Sequence, residues 1–425
     1  MTTSSQTIIH KRIAEITPTR KLFMGVIEIL IALLIFFVFS RSISPDTMTK
    51  FVMTPGGITL GTMADWVFNS SLGLYILAGI TLLIGGYQLI KGFGKFTNLM
   101  VAVAFFCLIF GFLIWQASGK SLNLGGMLSS AVLLAVPITM AAFSGILAER
   151  VGVVNIAIEG MMLMSCMVAA IVASATQNPW FGLLGGIISA VVLALIHAFL
   201  SIRYKINQVI SGTVINIFSA GLTSFISQRF LQKNESLNTP PMFTRVPIPG
   251  LANIPILGPT LFNTNLFVYI LFALLIILQV ALFQTRWGLR LRSVGEHPKA
   301  ADTLGINVIR TRYMGVLLSG AVAGIAGAFF TLGSVGRFDE GMTAGKGFIG
   351  IAAMIFGKWT PIGSLGAGML FGFADAIGSK LSLLGSKIPP QFMAMAPYII
   401  TMVVLAGFIG RSSGPAASGE PYTKE

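Results

Sequence analysis

Several polar side chains lie inside apolar segments, where they need a partner or water. Glu159 follows Asn155 by four residues near the start of the apolar segment 153–175, and Asp375 lies within a second one, 361–377. An ionised carboxylate at the centre of a membrane costs about 2.5 to 3.5 kcal/mol, so it should be paired, neutral or in contact with water. If 153–175 is helical, Asn155 and Glu159 share a face.

Two interpretations of these acids stay open. Glu159 could belong to a polar patch in a translocation path or its gate, or it could satisfy the start of a broken helix, and Asp375 has the same ambiguity. A polar stripe on the segment 210–228 is similar, because Asn216, Ser219 and Thr223 recur at spacings of three and four. They could hydrogen-bond a polar solute or hold neighbouring helices together, and the second use is the commoner one.

The residues needed for covalent or metal chemistry do not recur at useful spacings. His10, His197 and His297 have no metal-site spacing, and Cys107 and Cys166 lie in separate apolar segments. The sequence contains no Gly-x-x-x-x-Gly-Lys-[Ser/Thr] phosphate-binding loop. We therefore expect no catalytic residue, metal or cofactor, and any ATP hydrolysis must come from another subunit.

A polar island at 294–306 interrupts the apolar sequence. Pro298 suits the first turn of a helix and Gly305 suits the residue just past its end, which predicts about two helical turns. Arginines flank the island on both sides, at 286, 290, 292, 310 and 312, and this predicts a cytoplasmic position. We expect another protein to bind here, with small residues letting the helix enter a groove; the candidate residues are Gly295, Glu296, His297, Pro298, Lys299, Ala300, Ala301, Asp302 and Gly305.

The amino-acid composition indicates the class of protein that carries these residues. Of the 425 residues 55% are hydrophobic and only 10% are charged, and the mean hydropathy is +0.85. Soluble domains have roughly 25% charged residues, so the chain is expected to be an all-α integral membrane protein. The net charge is +14, and the basic residues are spread over the loops. This distribution indicates residues that orient the chain in a membrane and not a nucleic-acid-binding surface.

Apolar segments predict a bundle of about 10 to 12 transmembrane helices with both termini in the cytoplasm. The run 347–357 is too short to span, and we expect a tilted or re-entrant half-helix paired with 361–377. The proline-rich loop 232–265 is expected to form a packed external cap. The predicted spans are approximately 22–40, 71–90, 99–117, 126–147, 153–175, 181–200, 210–228, 266–284, 313–332, 347–357, 361–377 and 391–409.

Four motifs in order carry a family resemblance. They are Gly152-Val-Val-Asn-Ile-Ala-Ile-Glu-Gly-Met-Met162, Ser293-Val-Gly-Glu-His-Pro-Lys-Ala-Ala-Asp-Thr-Leu-Gly-Ile306, Ser319-Gly-x3-Gly-Ile-Ala-Gly327 and Phe356-Gly-Lys-Trp-Thr-Pro-Ile-Gly363. Together they resemble the permeases of bacterial ABC importers for simple sugars, branched-chain amino acids and nucleosides. The Asn155-x3-Glu159-Gly160 segment and the Lys358-Trp359-x-Pro361 turn look closest to the nucleoside-type branch.

The resemblance covers residues 124–409 and implies a division of the chain. Residues 1–21 would be a cytoplasmic basic tail, 22–123 a transmembrane region of unassigned role, 124–409 the permease core and 410–425 a flexible cytoplasmic tail. Residues 295–305 would form the coupling loop that docks on the ATPase, and Asn155 and Glu159 would lie near the solute path.

The resemblance also implies partners and a location. These are an ABC ATPase with two fused nucleotide-binding halves, a second and different permease, and an extracytoplasmic solute-binding lipoprotein, in the bacterial inner membrane. Simple-sugar or riboflavin import is the alternative within the family. An ion-coupled secondary transporter would use Glu159 and Asp375 as coupling carboxylates, but it leaves the docking helix unexplained.

Overall fold

A computed structural model of the chain describes residues 18–56, 58–383 and 414–424, together with 389, 392 and 395. Ten helices in this part are long and apolar enough to cross a membrane, which confirms the predicted all-α polytopic class. The helices are α1 (Pro18–Leu34), α2 (Ser70–Ile90), α3 (Thr97–Ala117), α4 (Leu124–Glu149), α5 (Ile158–Thr176), α6 (Pro179–Ala198), α7 (Gln208–Ile226), α8 (Leu266–Gln284), α9 (Arg286–Glu296), α10 (Pro298–Thr303), α11 (Val308–Ala328), α12 (Lys346–Phe356) and α13 (Pro361–Leu383).

Most predicted spans coincide with helices, with one correction. The predicted segment 153–175 starts too early, because residues 150–157 form turns and extended chain and α5 begins only at Ile158. The half-helix at 347–357 is confirmed: α12 has 11 residues and is about 16 Å long at 1.5 Å per residue, well short of a bilayer core of about 30 Å. The predicted span 391–409 lies outside the described residues, apart from Phe392 and Met395.

The chain divides into two compact units. In the first, described over 18–53 and 64–124, α1, α2 and α3 pack together and carry a small sheet that was not predicted. Its strands are β1 (Met48–Val52), β2 (Trp66–Asn69) and β3 (Ser121–Asn123), in the order β2-β1-β3. β1 pairs antiparallel with β2 and parallel with β3. Within this sheet β2 contacts α2 and β1 contacts α3.

The second unit, 54–63 and 125–424 within the described residues, is built around four helices. α5, α6 and α11 pack extensively on one another, and 89% of the apolar window of α4 is buried. By contrast, only 28% of the corresponding windows of α7 and α8 is buried. The central helix α4 is therefore surrounded by protein, while α7 and α8 leave large faces to lipid or to a partner.

Small residues set the helix spacing in this unit. A Cβ atom at Gly320 of α11 would lie 2.4 Å from the Ala194 Cβ of α6, and one at Gly324 would lie 2.7 Å from the Ile187 Cα. Hydrophobic burial does not drive association between helices in lipid, so such close contact supplies the packing energy. The spacing Gly320-x3-Gly324 thus marks packing within the unit.

The proline-rich loop 232–265 packs on its own unit. Asn238 exchanges hydrogen bonds with Phe338, and the Phe243 N–H donates to the Leu332 carbonyl at 2.9 Å. Two short antiparallel strands, β4 (Arg245–Pro247) and β5 (Asn263–Asn265), pair the middle of the loop with its end. The expectation of a packed loop is met, since the backbone of this segment finds partners within the protein.

Gly372 of α13 provides a test of the close packing. A Cβ atom there would lie 2.5 Å from the Ala131 carbonyl oxygen and 2.6 Å from the Ala135 nitrogen of α4. Because these are backbone atoms that cannot turn away, we expect Gly372→Ala to destabilise the unit by about 1 to 3 kcal/mol. Gly366→Ala on the same helix, where nothing lies within 4 Å, is the matched control. Thermal denaturation in detergent measures both, and equal midpoints would contradict the packing argument.

Candidate functional site

The carboxylate of Glu159, at the start of α5, binds the start of another helix. Its two oxygens accept hydrogen bonds from the backbone N–H groups of Gly345 at 2.8 Å and Gly347 at 2.6 Å, in the first turn of α12. The first N–H groups of a helix lack internal partners and favour a negative charge. The interpretation as a helix-start acceptor agrees with the structure, but the helix is α12 and not α5. A role in the solute path stays a prediction.

Glycines make this contact possible. A Cβ atom at Gly347 would lie 2.7 Å from the Glu159 Cα, and Gly345 has a positive φ of 77°. A side chain at residue 347 would push the start of α12 away from α5. The sequence pattern Gly345-Lys346-Gly347 is thus required by the approach of two helix ends.

Asn155 lies apart from Glu159. It is 2% exposed; its amide donates to the Ser319 hydroxyl at 2.9 Å, and its side-chain oxygen accepts from the Ala157 N–H at 3.1 Å. Since residues 150–157 are not helical, the predicted shared helical face of Asn155 and Glu159 is wrong. Asn155 instead fastens the non-helical segment to α11.

The polar stripe on α7 faces α5. Asn216 donates to the Ile156 carbonyl at 2.9 Å and accepts from the Gly160 N–H at 2.8 Å. Ser219 and Thr223 are buried, and the Thr223 hydroxyl donates to the Ser219 carbonyl of its own helix at 2.7 Å. Of the two uses that the spacing allowed, these contacts match the joining of helices.

Asp375 of α13 forms an ion pair with Lys346, the first residue of α12. Their side chains are 17% and 18% exposed, so both charges are largely removed from solvent. Sequence reasoning missed Lys346, although a buried carboxylate calls for a nearby cation. We call Glu159, Asn216, Gly345, Lys346 and Asp375 the helix junction, because together they hold the starts of α5 and α12.

The other end of α12 is held by the end of α4. Lys358 and Trp359 both have positive φ values, 54° and 53°, which are strained for residues with side chains. The Trp359 indole N–H donates to the Glu149 carboxylate at 2.5 Å, and the Arg150 guanidinium donates to the Trp359 carbonyl at 2.8 Å. Sequence reasoning singled out the Lys358-Trp359 turn but missed Glu149 and Arg150.

The same end of the unit carries α9 and α10, and we call it the basic end. A Cβ atom at Gly295 would lie 2.4 Å from the Arg150 carbonyl oxygen, so α9 rests directly on the residue that holds Trp359. Arg150 and Arg292 both lie over the Phe283 ring, at 5.5 and 5.1 Å. Burial and the neighbouring Arg292 lower the pKa of the Arg150 guanidinium, while Glu296 raises it.

The helix predicted within the polar island forms as the six-residue α10. The His297 ring nitrogen Nδ1 accepts from the Ala300 N–H at 3.2 Å, and Gly305 ends the helix with a φ of 80°. The expectation that Ala301 is free to enter a partner is wrong, because its side chain is 2% exposed and packs in the core. The face left open carries Lys299, Ala300, Thr303 and Leu304, and Leu304 is 81% exposed.

Replacing Glu159 tests its structural role. Glu159→Ala leaves two N–H groups of α12 without their acceptor, and each unsatisfied buried group costs about 1 to 3 kcal/mol. We expect a lower denaturation midpoint and faster hydrogen exchange at 345–350. Glu159→Gln keeps one acceptor oxygen, so its denaturation midpoint and exchange rates should lie between those of Glu159→Ala and the unchanged chain. Unchanged exchange in Glu159→Ala would show that α12 does not depend on this carboxylate.

Comparison with known proteins identifies a family that matches most of the chain. The family described as branched-chain amino acid transport system / permease component matches residues 127–409. The guanosine ABC transporter permease protein NupQ of Bacillus subtilis (strain 168) is 41% identical over 69% of this chain and 95% of its own length. The nucleoside ABC transporter permease protein NupC of Lactococcus lactis subsp. cremoris (strain MG1363) is 36% identical over 70% of this chain and 96% of its own.

A third relative, TsgC13 of Haloferax volcanii, is provisionally named as a glucose ABC transporter permease protein; it is 33% identical over 71% of this chain and 98% of its own. No solved structure matches the chain significantly. The family match covers α4 to α13, which contain both the helix junction and the basic end. The chain therefore belongs to the permease components of the branched-chain amino acid transport system family.

Proposed function

We propose that this chain is the transmembrane permease subunit of an ATP-driven importer for nucleosides or related ribosylated solutes. The observation that carries the proposal is the identity of 41% and 36% with permeases named for guanosine and nucleoside transport, over nearly their full lengths. ATP is hydrolysed by a separate ABC ATPase, and a solute-binding lipoprotein delivers the solute outside. The chain itself does no covalent chemistry.

The basic end faces the cytoplasm in this proposal. The arginines of α9 and the start of α11 lie there, and such residues are retained on the cytoplasmic side of a membrane. Both termini are then cytoplasmic and the loop 232–265 is external, in a bacterial inner membrane. A second, different permease packs beside this one, and the large unburied faces of α7 and α8 are available for it.

The open face of α10 docks on the ATPase. Ala300 is small enough to let the helix approach a groove, and Leu304 supplies an apolar contact that a partner can bury. Lys299 lies on the same face. The neighbouring residues that shape the approach are Glu296, His297, Pro298, Asp302 and Gly305, while Gly295 is buried against Arg150. Ala301, on the opposite face of α10, packs in the core and holds the helix in place.

Movement of α10 can reach the solute path through direct contacts. Gly295, in the helix α9 that precedes α10, rests on Arg150, and Arg150 holds Trp359. Trp359 lies in the turn that follows α12, and the first turn of α12 is bound by Glu159. Closure of the ATPase would shift these elements as one body, while the receptor outside favours the other state of the bundle. Glu159 and Asp375 already have partners, so ion coupling through them has less support.

The docking helix is tested by Ala300→Glu. A glutamate on the open face brings bulk and an unpaired charge into the contact, so we expect at least tenfold weaker ATPase binding and loss of solute-stimulated ATP turnover. Folding should be unchanged, because residue 300 is exposed and glutamate is a good helix former. Ala300→Ser is the control that keeps the side chain small. Normal binding and uptake in Ala300→Glu would exclude α10 as the coupling element.

The solute is tested by competition. In cells or proteoliposomes containing the complete importer, we expect uptake of labelled guanosine to be inhibited by other nucleosides, and much less by glucose, ribose or riboflavin. A site for a nucleoside must bind both the base and the ribose. Ribose alone lacks the contacts made by the base and should therefore bind much more weakly. Inhibition by glucose but not by nucleosides would overturn the nucleoside assignment and leave the permease assignment intact.

A further inference from the structure

Residues 414–424 lie against the corner between α9 and α10. The Ala417 N–H donates to the Gly295 carbonyl at 2.9 Å, and the Gly419 N–H donates to the Gly152 carbonyl at 3.3 Å. Ala417 is 4% exposed, and the Ala416 N–H reaches the Glu296 carboxylate at 3.3 Å. Residues 414–424 thus contact both the corner between α9 and α10 and the non-helical segment 150–157.

A buried arginine lies beneath the segment. Arg312 is 1% exposed; its Nη1 donates to the Glu420 carbonyl at 2.9 Å, and its guanidinium carbon lies 6.0 Å from the centre of the Tyr422 ring. Gly152 leaves the space for this contact, since a Cβ atom there would lie 3.0 Å from Arg312 Nη2 and from the Ala417 carbonyl oxygen. Several independent groups therefore hold the segment in a specific position, so residues 414–424 do not form the flexible tail that was expected from the sequence.

Between the corner and the segment there is a groove of about 260 Å³. One wall includes Glu296, His297 and Pro298, and the other includes Glu420, Pro421 and Tyr422. Small-molecule sites usually have about 300 to 1,000 Å³, so this groove has the size for one large side chain of a partner protein. Interfaces often gain much of their energy from one such side chain in a pocket.

The lining indicates which side chain fits. The lining contains the two carboxylates of Glu296 and Glu420 and the ammonium group of Lys299, at an end of the unit that is otherwise rich in arginine. The Tyr422 ring adds an aromatic surface. Two carboxylates beside an aromatic ring can bind an arginine side chain. Its guanidinium group forms charge-assisted hydrogen bonds in the plane of the group and stacks on aromatic rings with its face.

We propose that residues 414–424 and the start of α10 form one docking surface, whose groove receives an arginine side chain of the ATPase subunit. The inference rests on the proposed function, because it adds a second contact to the docking of α10. The segment leaves Ala300, Thr303 and Leu304 exposed. It therefore extends the open face of α10 instead of covering it.

The test uses the full-length permease complex and its purified ATPase subunit, with affinity measured by titration. Glu420→Gln removes the carboxylate charge, including its attraction to the Arg312 guanidinium, and keeps the backbone hydrogen bond to Arg312. We expect ATPase affinity to fall about threefold to tenfold, as for loss of one charge-assisted contact. Tyr422→Ala should weaken binding to a similar degree. Lys424→Gln is the matched control, because Lys424 is exposed in the same segment and does not line the groove. Removing the groove carboxylate should also reduce the salt dependence of binding.

The outcomes separate this inference from the proposed function. If Ala300→Glu abolishes binding while Glu420→Gln and Tyr422→Ala bind like the unchanged permease, the groove is no docking site and only this inference fails. If deletion of 414–425 strengthens binding, the segment restrains the ATPase and the inference also fails. If the unchanged permease does not bind the ATPase at all, the proposed function fails first. Denaturation midpoints of each variant show that the fold is retained.

Discussion

The backbone of two broken helices must find partners inside the bundle, and this requirement organises the second unit. α5 begins at Ile158 and α12 at Lys346, both inside the second unit, and the first N–H groups of each have no partner in their own helix. The Glu159 carboxylate serves α12, and the Asn216 amide serves the chain around α5. The start of each helix thus receives a hydrogen-bond acceptor from a side chain of another element.

The same elements connect the helix junction with the basic end. Arg150 follows α4, supports Gly295 on one side and holds the strained turn at Trp359 on the other. A strained turn of two residues persists only when its surroundings over-determine it, and such turns often mark places that change conformation. Arg150 therefore connects α9 with the turn that follows α12.

The N-terminal unit stands outside this scheme. The family match begins at residue 127, and the second unit begins its main part at Gly125. α1, α2 and α3 therefore form an addition to the permease core, with its own sheet of three strands and its own packing. The core can be understood from its own contacts, because the helix junction and the basic end both lie within the second unit.

The sequence alone determined the class, the positions of most of the long apolar helices, the short helix α12 and the helix α10 of the polar island. These depend on local quantities: hydropathy over about 20 residues, proline and glycine at helix ends, and flanking arginines. The tertiary structure decided which partner each polar residue has. Glu159 serves a helix 186 residues away, and Ala301 faces the core while Ala300 faces outward. Spacing cannot show this, because the partner of a buried polar group is fixed by how distant helices pack.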